Sequence, residues 1–188
     1  DYVDTGSTFQ STLRDSFTIS MWIKPTDGHP STEESFIGAK NVANEDQFYF
    51  QIKDDGDIQF YYKSDGDAGY GRSADVQFSD GVHPWVHAVA KIDKTVGTHG
   101  QIYIYVNGVE VTLDSSPKDG VLGTNSVVMG DYTCVDEIFI GCQNTDGSGN
   151  NFFDGKINNA KIFDVALTES EIQEMYLNPE QILPTGVS

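Results

Sequence analysis

The sequence contains little cysteine, little arginine and no long apolar run. Its 188 residues include two cysteines, Cys134 and Cys142, and two arginines, Arg14 and Arg72. No apolar stretch approaches the roughly 18 residues that a membrane-spanning helix requires, so we predict no membrane insertion. The scarcity of arginine argues against a site for sulfated or carboxylated glycans built on guanidinium forks.

Positive charge is scarce in general. The chain has 11 lysines and arginines against 29 aspartates and glutamates, which gives a formal net charge of −18. Nucleic-acid phosphates need cationic partners, so this composition excludes nucleic acid as a partner. The excess of carboxylates has two interpretations, which are an affinity for divalent cations and solubility alone.

The cysteines and the chain start bear on the compartment. Cys134 and Cys142 either close a small disulfide loop, which indicates an oxidising compartment, or are two buried thiols. The chain begins at Asp1 without a methionine, so we expect a processed product or a piece of a longer extracellular, cell-surface or virion protein. Its length predicts a single domain, which we place at residues 1–178, followed by a tail at 179–188.

Alternating apolar and polar residues predict many short strands. The clearest signal is a hairpin in which residues 47–53 and 57–63 flank Asp54-Asp55-Gly56, a turn that favours positive φ at the glycine. Further strands are predicted within residues 16–24, 36–40, 85–93, 100–111, 127–129 and 137–141. Loops are predicted at residues 64–71 and 142–152.

Residues 151–176 predict a late strand followed by a helix. The apolar residues of the strand share one face only if the alternation slips once, which indicates a β-bulge near Asn158 and Asn159. Thr168 and Glu171 have the spacing of a capping box at the start of the helix. Because strands do not alternate with helices, we predict an all-β fold, a two-sheet antiparallel jelly-roll sandwich with one short C-terminal helix.

The order of these segments resembles a known family. The segments are YVDTG, SFTISMWIKP, FYFQIKDDGDIQFYY, WVHAVAKID, GQIYIYVNGVEV and FFDGKINNAKIFDVALTESEI. Together they resemble the laminin-G-like branch of the concanavalin A-like lectin/glucanase superfamily. The resemblance implies a curved sandwich, often a non-catalytic module that binds carbohydrate or protein, and often a structural calcium. Where family members commonly read G-x-I-D-E-V, this chain has Asn158 and Asn159, so two carboxylates are replaced by amides.

Aromatic and amide side chains on the outward phase of the strands form one candidate site. If their strands are neighbours, the rings line one face of a sheet, where a sugar can stack while amides and an imidazole bond its hydroxyls. The candidates are Tyr49, Gln51, Gln59, Tyr61, His87, Tyr103 and Tyr105. Ordinary cross-strand tyrosine pairing is the alternative, and Tyr103 and Tyr105 equally fit beneath the terminal helix.

A calcium loop is the second candidate. Asn144, Asp146 and Asn150 supply oxygens at alternating positions among glycines, as hard cations require. Residues 65–67 form a weaker version. The alternative, which the composition favours, is a plain β-turn.

Catalysis is the third possibility, since glucanases of this superfamily use paired carboxylates on one strand. Here Asp136 and Glu137 are adjacent and point to opposite faces of a strand, and a third acid is absent. We therefore predict a non-catalytic module that binds a neutral glycan or glycoconjugate, with possible help from Ca²⁺ and contacts to other modules of the same polypeptide. A purely structural module of a phage or envelope assembly and a diverged glycoside hydrolase are the alternatives.

Overall fold

A computed structural model of the chain describes residues 1–42, 47–64, 67–96, 100–114 and 132–180. Over these residues the helices are α1 (Gln10–Leu13) and α2 (Glu169–Leu177). The strands are β1 (Val3–Asp4), β2 (Phe17–Pro25), β3 (Glu34–Lys40), β4 (Gln47–Ile52), β5 (Ile58–Ser64), β6 (Asp67–Arg72), β7 (Val86–Asp93), β8 (Gln101–Val106), β9 (Val109–Glu110), β10 (Phe139–Ile140), β11 (Gln143–Thr145), β12 (Ser148–Asn150) and β13 (Gly155–Phe163). Neither helix has the length or the apolar composition needed to cross a bilayer.

The described strands form two sheets. Sheet A has the order β1-β10-β3-β4-β5-β6, with the β11–β12 hairpin attached to β3, and sheet B has the order β13-β2-β7-β8-β9. The ladders are antiparallel except that β11 runs parallel to β3. The predicted jelly-roll sandwich with a short C-terminal helix is therefore confirmed.

The hydrophobic core lies between the inner faces of the two sheets. Sheet B contributes Ile19 and Met21 from β2, and sheet A contributes Phe48 and Phe60 from the central hairpin. The Phe17 ring of sheet B meets Phe60 edge-on, with the ring centroids 6.2 Å apart. Aromatic rings bury large apolar areas and favour such edge contacts, so they hold the layers together.

The central hairpin follows the predicted register. Phe50 pairs with Phe60 and Ile52 with Ile58, which puts one apolar row inside and the alternating polar row outside. Gly56 adopts φ 80° in the turn. A left-handed conformation costs glycine little because it has no Cβ, which is the reason for its place here.

The end of the chain also follows the sequence pattern. The β13 register against β2 shifts between Asn158 and Lys161, and Asn159 has φ 52°, which is the expected bulge. Thr168 and Glu171 form a complete capping box at the start of α2. Leu167 before the cap and Ile172 after it lie in one buried cluster.

Several local expectations were wrong. Residues 64–71 were expected to be a loop but largely form β6, because the backbone completes the ladder with β5. Residues 142–152 were likewise expected to be a loop but include the β11–β12 hairpin. The short helix α1 gave no sequence signal. The strand expected at residues 127–129 lies outside the described residues, as does most of the tail.

The two cysteines lie in the interior of the domain. Cys134 and Cys142 are both buried thiols. Burial raises the pKa of Cys142, and a thiol in such surroundings is less reactive than an exposed one because the thiolate is disfavoured. The sequence left open a disulfide or two buried thiols, and the structure agrees with the buried thiols.

Candidate functional site

The predicted aromatic set does not form one surface. Tyr49, Gln51, Gln59 and Tyr61 lie on the outer face of sheet A, in β4 and β5. His87, Tyr103 and Tyr105 lie on sheet B, in β7 and β8. The expectation of a single shared face is wrong because the strands that carry the two groups belong to different layers of the sandwich.

We call the first group, Tyr49, Gln51, Gln59 and Tyr61, the tyrosine–glutamine face. Tyr49 and Tyr61 are direct cross-strand neighbours, and their rings stack with centroids 4.9 Å apart and planes 6° apart. One step along the ladder, Gln51 Nε2 donates to Gln59 Oε1 at 2.9 Å, and Ser35 Oγ donates to Gln51 Oε1 at 3.3 Å. The rings and amides are therefore held in fixed positions by the sheet and by each other.

Two buried cationic side chains, Lys53 and Arg72, lie close to the tyrosine–glutamine face. Lys53 donates to Glu33 Oε1 at 2.5 Å, and this hydrogen bond lowers the pKa of Glu33. Arg72 of β6 lies opposite Gln59 in the register, and its Nε donates to Asp57 Oδ2 at 2.7 Å. Another guanidinium nitrogen of Arg72 donates to the Asp55 carboxylate. Buried charges require such partners, since an unpaired one would pay the full cost of desolvation.

The tyrosine–glutamine face forms the floor of a cleft of about 470 Å³. The β11–β12 hairpin supplies another wall, through Gln143, Asn150 and Asn151. Glu33, Lys40, Gln47 and Lys53 complete the polar lining. A cleft of this size with rigid aromatic rings and fixed amides suits a small polar ligand such as an oligosaccharide terminus.

Sequence reasoning missed part of this cleft. The β4 and β5 alternation placed Lys53 and Lys63 on the outward phase, but they were not assigned to a site. Arg72, which lies beside Gln59 in the register but is not part of the cleft lining, was missed because it follows a segment that was expected to be a loop. Gln143 was missed for the same reason, since the hairpin that carries it was not anticipated. Only the pairing of β11 with β3 brings Gln143 to the cleft, and only the pairing of β6 with β5 brings Arg72 to sheet A.

The second group lies beneath α2, which is the alternative that the sequence left open for the two tyrosines. Tyr105 is buried in a cluster with Val89, Ile172 and Met175, and Tyr103 packs against it. Lys91 Nζ lies 4.3 Å from the centroid of the Tyr103 ring. Burial raises the pKa of Tyr103 and Tyr105. Tyr105 is thus a core residue of the helix–sheet interface, with little surface for a ligand.

His87 is buried in the same layer. Its Nε2 is 2.9 Å from Ser20 Oγ, and its ring packs beside both Trp22 and Tyr176, at centroid distances of 5.3 and 6.2 Å. Burial, together with the positive charge of Lys161, lowers the pKa of His87 from 6.5 to about 4. The imidazole is therefore neutral at physiological pH and serves the packing of α2 on sheet B.

The proposed calcium residues form a tight hairpin. Asp146 and Gly147 both have positive φ, 48° and 83°, the backbone of a two-residue type I′ turn. Asn144 Oδ1 accepts from Gly147 N at 2.8 Å, Asp146 Oδ1 accepts from Val42 N at 3.0 Å, and Asn150 Oδ1 accepts from Asn151 N at 2.9 Å. These bonds account for the shape of the hairpin without an ion.

Calcium at Asn144, Asp146 and Asn150 remains a prediction. Within the described ranges, no group of three His, Cys, Asp or Glu side chains is arranged to hold a metal ion. Of the weaker candidate at residues 65–67, the first two residues lie outside the described ranges.

The carboxylates near the cleft have structural partners. Asp136 Oδ2 accepts from Asn41 Nδ2 at 3.1 Å, and Glu137 is exposed. In the cleft lining, Glu33 pairs with Lys53 and has a lowered pKa. A glycosidase acid instead needs a raised pKa in order to stay protonated for its task. Glu33 therefore lacks the property of a general acid.

The two stacked antiparallel sheets define a jelly-roll domain of the lectin type. The chain belongs to the Concanavalin A-like lectin/glucanases superfamily, whose family model matches residues 1–173. The family resemblance seen in the sequence is confirmed.

Solved structures share the fold at low sequence identity. The Ruminococcus gnavus IT-sialidase CBM40 has a TM-score of 0.67 and 17% identity, covering 93% of this chain and 91% of that one. The same CBM40 bound to alpha2,3 sialyllactose has a TM-score of 0.66 and 18% identity over 93% and 91% of the two chains. NanB sialidase from Streptococcus pneumoniae has a TM-score of 0.65 and 18% identity, covering 92% of this chain and 26% of that one. No curated protein matches the sequence significantly.

Proposed function

We propose that this chain is a non-catalytic glycan-binding module and that its binding surface is the tyrosine–glutamine face. The observation that carries the proposal is the stacked Tyr49–Tyr61 pair beside the Gln51–Gln59 amide pair, on the floor of an open cleft. A pyranose ring has an apolar face that stacks on an aromatic ring and hydroxyls that bond to amides. Rings and amides that are already fixed cost little conformational entropy when the ligand binds.

The ligand class that we favour is a sialylated glycan. Lys40 and Lys53 line the cleft with one carboxylate, Glu33, to which Lys53 is paired, so the charged lining residues carry a net positive charge in a protein of net charge −18. An ammonium attracts a carboxylate as a point charge and does not need the guanidinium fork. The CBM40 of similar fold is described bound to sialyllactose, which supports this choice over the neutral glycan expected from the scarcity of arginine.

Isothermal titration calorimetry with sialyllactose and with lactose tests the proposal. We expect saturable binding of sialyllactose and weaker binding of lactose, because lactose lacks the carboxylate. Tyr49→Ala should weaken sialyllactose binding by about tenfold or more, which corresponds to roughly 1.4 kcal/mol. Tyr103→Ala is the matched control, since Tyr103 is also half-buried but lies on the opposite sheet, and it should leave the affinity unchanged.

Two outcomes would count against this function. If neither sugar binds, the structural or protein-interaction alternative is preferred. If Tyr103→Ala weakens binding as much as Tyr49→Ala does, the site is elsewhere.

Repeating the titration with a chelator tests the calcium proposal, because an unchanged affinity would exclude Ca²⁺ assistance.

The hydrolase alternative has its own test. Incubation with laminarin-type glucans should release no reducing ends, because Glu33 is paired with Lys53 and Asp136 is bonded to Asn41. Release that is abolished by Asp136→Asn would overturn the non-catalytic assignment.

We further propose that the module belongs to a longer extracellular, cell-surface or virion protein, which supplies other modules as its partners.

A further inference from the structure

A second aromatic cleft lies on the sheet B side of the molecule. It has a volume of about 220 Å³ and is lined by Trp22, Trp85, Asn158, Asn159, Pro179 and Glu180. The chain has two tryptophans, and both line this cleft. We call it the tryptophan cleft. None of its lining residues belongs to the tyrosine–glutamine face.

The fold holds the tryptophan cleft in a fixed shape. Trp22 is on the outer face of β2, and the Tyr176 ring of α2 stacks on it with centroids 5.8 Å apart and planes 19° apart. The β13 bulge closes another side, because Asn159 Nδ2 donates to the Pro179 carbonyl at 2.7 Å. This bond ties the bulge to the residues that follow α2. Three elements, β2, β13 and the end of α2, therefore define the cleft.

The lining combines apolar rings with a few polar groups. Trp85 is 40% exposed, whereas tryptophan is highly buried on average. Asn158 contributes an amide and Glu180 a carboxylate, both at exposed positions. Indole faces stack on the C–H face of a sugar ring, while amide and carboxylate groups bond its hydroxyls. We infer that the tryptophan cleft is a second glycan-binding site, which takes a pyranose ring of an oligosaccharide.

Charge distinguishes this ligand from an organic cation. Aromatic clefts with a carboxylate also bind ammonium groups through cation–π contacts. Here, however, Lys24 and Lys156 lie opposite each other on the same face, two residues along the ladder from the Trp22–Asn158 pair. Lys161 lies further along β13, and its positive charge lowers the pKa of His87, whose ring contacts Trp22. Lysines on β2 and β13 beside a lining with a single carboxylate disfavour a cationic ligand and leave a saccharide as the chemistry that fits.

Two sites on opposite sheets would make the module bivalent. One sugar ring cannot reach both clefts, so each would hold a separate glycan chain or a distant part of the same chain. On a densely glycosylated surface, linked sites raise the overall avidity well above the affinity of either site. The inference does not rest on the tyrosine–glutamine face, since the two clefts share no residue.

Tryptophan fluorescence reports on this cleft selectively, because both tryptophans line it. We would titrate the full chain with lactose and with sialyllactose and follow the emission of wild type, Trp85→Ala, Trp85→Phe and Tyr49→Ala. Each variant keeps at least Trp22 as a reporter. We expect a saturable change of emission in wild type and Tyr49→Ala, a loss of that change in Trp85→Ala, and partial recovery in Trp85→Phe, which restores a ring.

Each outcome decides the inference. No change of wild-type emission with either sugar would overturn it, as would an undiminished change in Trp85→Ala. The failure of the tyrosine–glutamine face would look different, because calorimetric binding would then survive Tyr49→Ala and disappear with Trp85→Ala. A circular dichroism spectrum of Trp85→Ala that matches wild type establishes that the variant is folded, and Trp85→Phe gives a second reading if it is not.

Discussion

At the scale of single residues, His87 is the clearest case of chemistry set by burial. The ring is enclosed by Trp22, Tyr176 and Ser20, so protonation is disfavoured and the pKa falls to about 4. In the unfolded chain the same imidazole titrates near its ordinary value of 6.5. Between these two pH values the unfolded state binds more protons than the folded state.

Stability should therefore fall as the pH is lowered from about 6.5 to about 4, by up to roughly 3 kcal/mol from this residue, given about 1.4 kcal/mol for each unit of pKa shift. His87→Gln keeps a hydrogen-bonding amide and removes the titration. Urea unfolding at a series of pH values should show a shallower acid slope for the variant than for wild type. Identical slopes would show that His87 is not the titrating group.

The two turn glycines Gly56 and Gly147 offer a second residue-scale test. Both have positive φ, 80° and 83°, so alanine at either position pays for a left-handed backbone, about 1–2 kcal/mol. A Cβ at Gly56 would also lie 2.2 Å from the Phe78 carbonyl oxygen, whereas a Cβ at Gly147 meets nothing within 4 Å.

Gly56→Ala should thus lower the free energy of unfolding clearly more than Gly147→Ala. The difference between the two losses measures the cost of the contact between the new Cβ and the Phe78 carbonyl oxygen. Thermal unfolding of the two variants side by side gives the comparison. Equal losses would mean that the loop of Phe78 moves away from the central hairpin at no cost.

At the scale of elements, α2 depends on its capping box more than on its own length. The helix has nine residues, which is too short to be stable in isolation. Thr168 Oγ1 accepts from Glu171 N at 3.3 Å, and Glu171 Oε2 accepts from Thr168 N at 2.7 Å. Its apolar residues then cover Tyr105 and Val89 of sheet B.

Thr168→Ala should cost about 1 kcal/mol of stability. Ser170→Ala is the matched control, because Ser170 is exposed within the same helix, and it should be close to neutral. Chemical denaturation measures both. A Thr168→Ala variant as stable as Ser170→Ala would show that packing alone fixes the start of α2.

The elements also show what sequence could and could not predict. The hairpin of β4 and β5, the β13 bulge and the cap of α2 were predictable because each depends on residues close in sequence. The strand β6 was not, because its glycine-rich segment is a strand only through its ladder with β5. At Gly71 in particular, the Cβ of any other residue would lie only 2.9 Å from side-chain atoms of Ile102 and Leu113. These residues are distant in sequence, so no local pattern reveals why a glycine is needed there.

The candidate site was half predictable for the same reason. Alternation put Tyr49 and Tyr61 outside and across from each other, and the ladder has them stacked. Alternation alone cannot tell which sheet a strand joins, so His87, Tyr103 and Tyr105 were grouped with residues of the other layer. Distinguishing the two required the pairing of β2 with β7 and of β3 with β4.

At the scale of the whole molecule, the net charge of −18 should make stability depend on salt. Like charges at the surface repel one another in the compact state, and added salt screens that repulsion. We expect the melting temperature to rise with sodium chloride. At matched ionic strength, calcium chloride should raise the melting temperature further than magnesium chloride if Asn144, Asp146 and Asn150 bind Ca²⁺, and an equal rise with the two salts would count against that site.

The outer faces of the two sheets differ in how much of each is covered by other parts of the chain. Sheet A leaves its outer face open as a cleft floored by tyrosines and glutamines. Sheet B has part of its outer face covered by α2, which buries Tyr105 and His87 and leaves the tryptophans at the margin. The helix α2 therefore confines the cleft on sheet B to the margin of that sheet, whereas the cleft on sheet A lies over its central strands.

Amide chemical-shift mapping by NMR with sialyllactose tests the central claim most directly. We expect the largest shifts at the β4 and β5 residues of the tyrosine–glutamine face and at the neighbouring β11–β12 hairpin, and we expect them to be lost in Tyr49→Ala. Saturating sialyllactose that leaves the amides of β4 and β5 unmoved would contradict the claim that this face binds glycans.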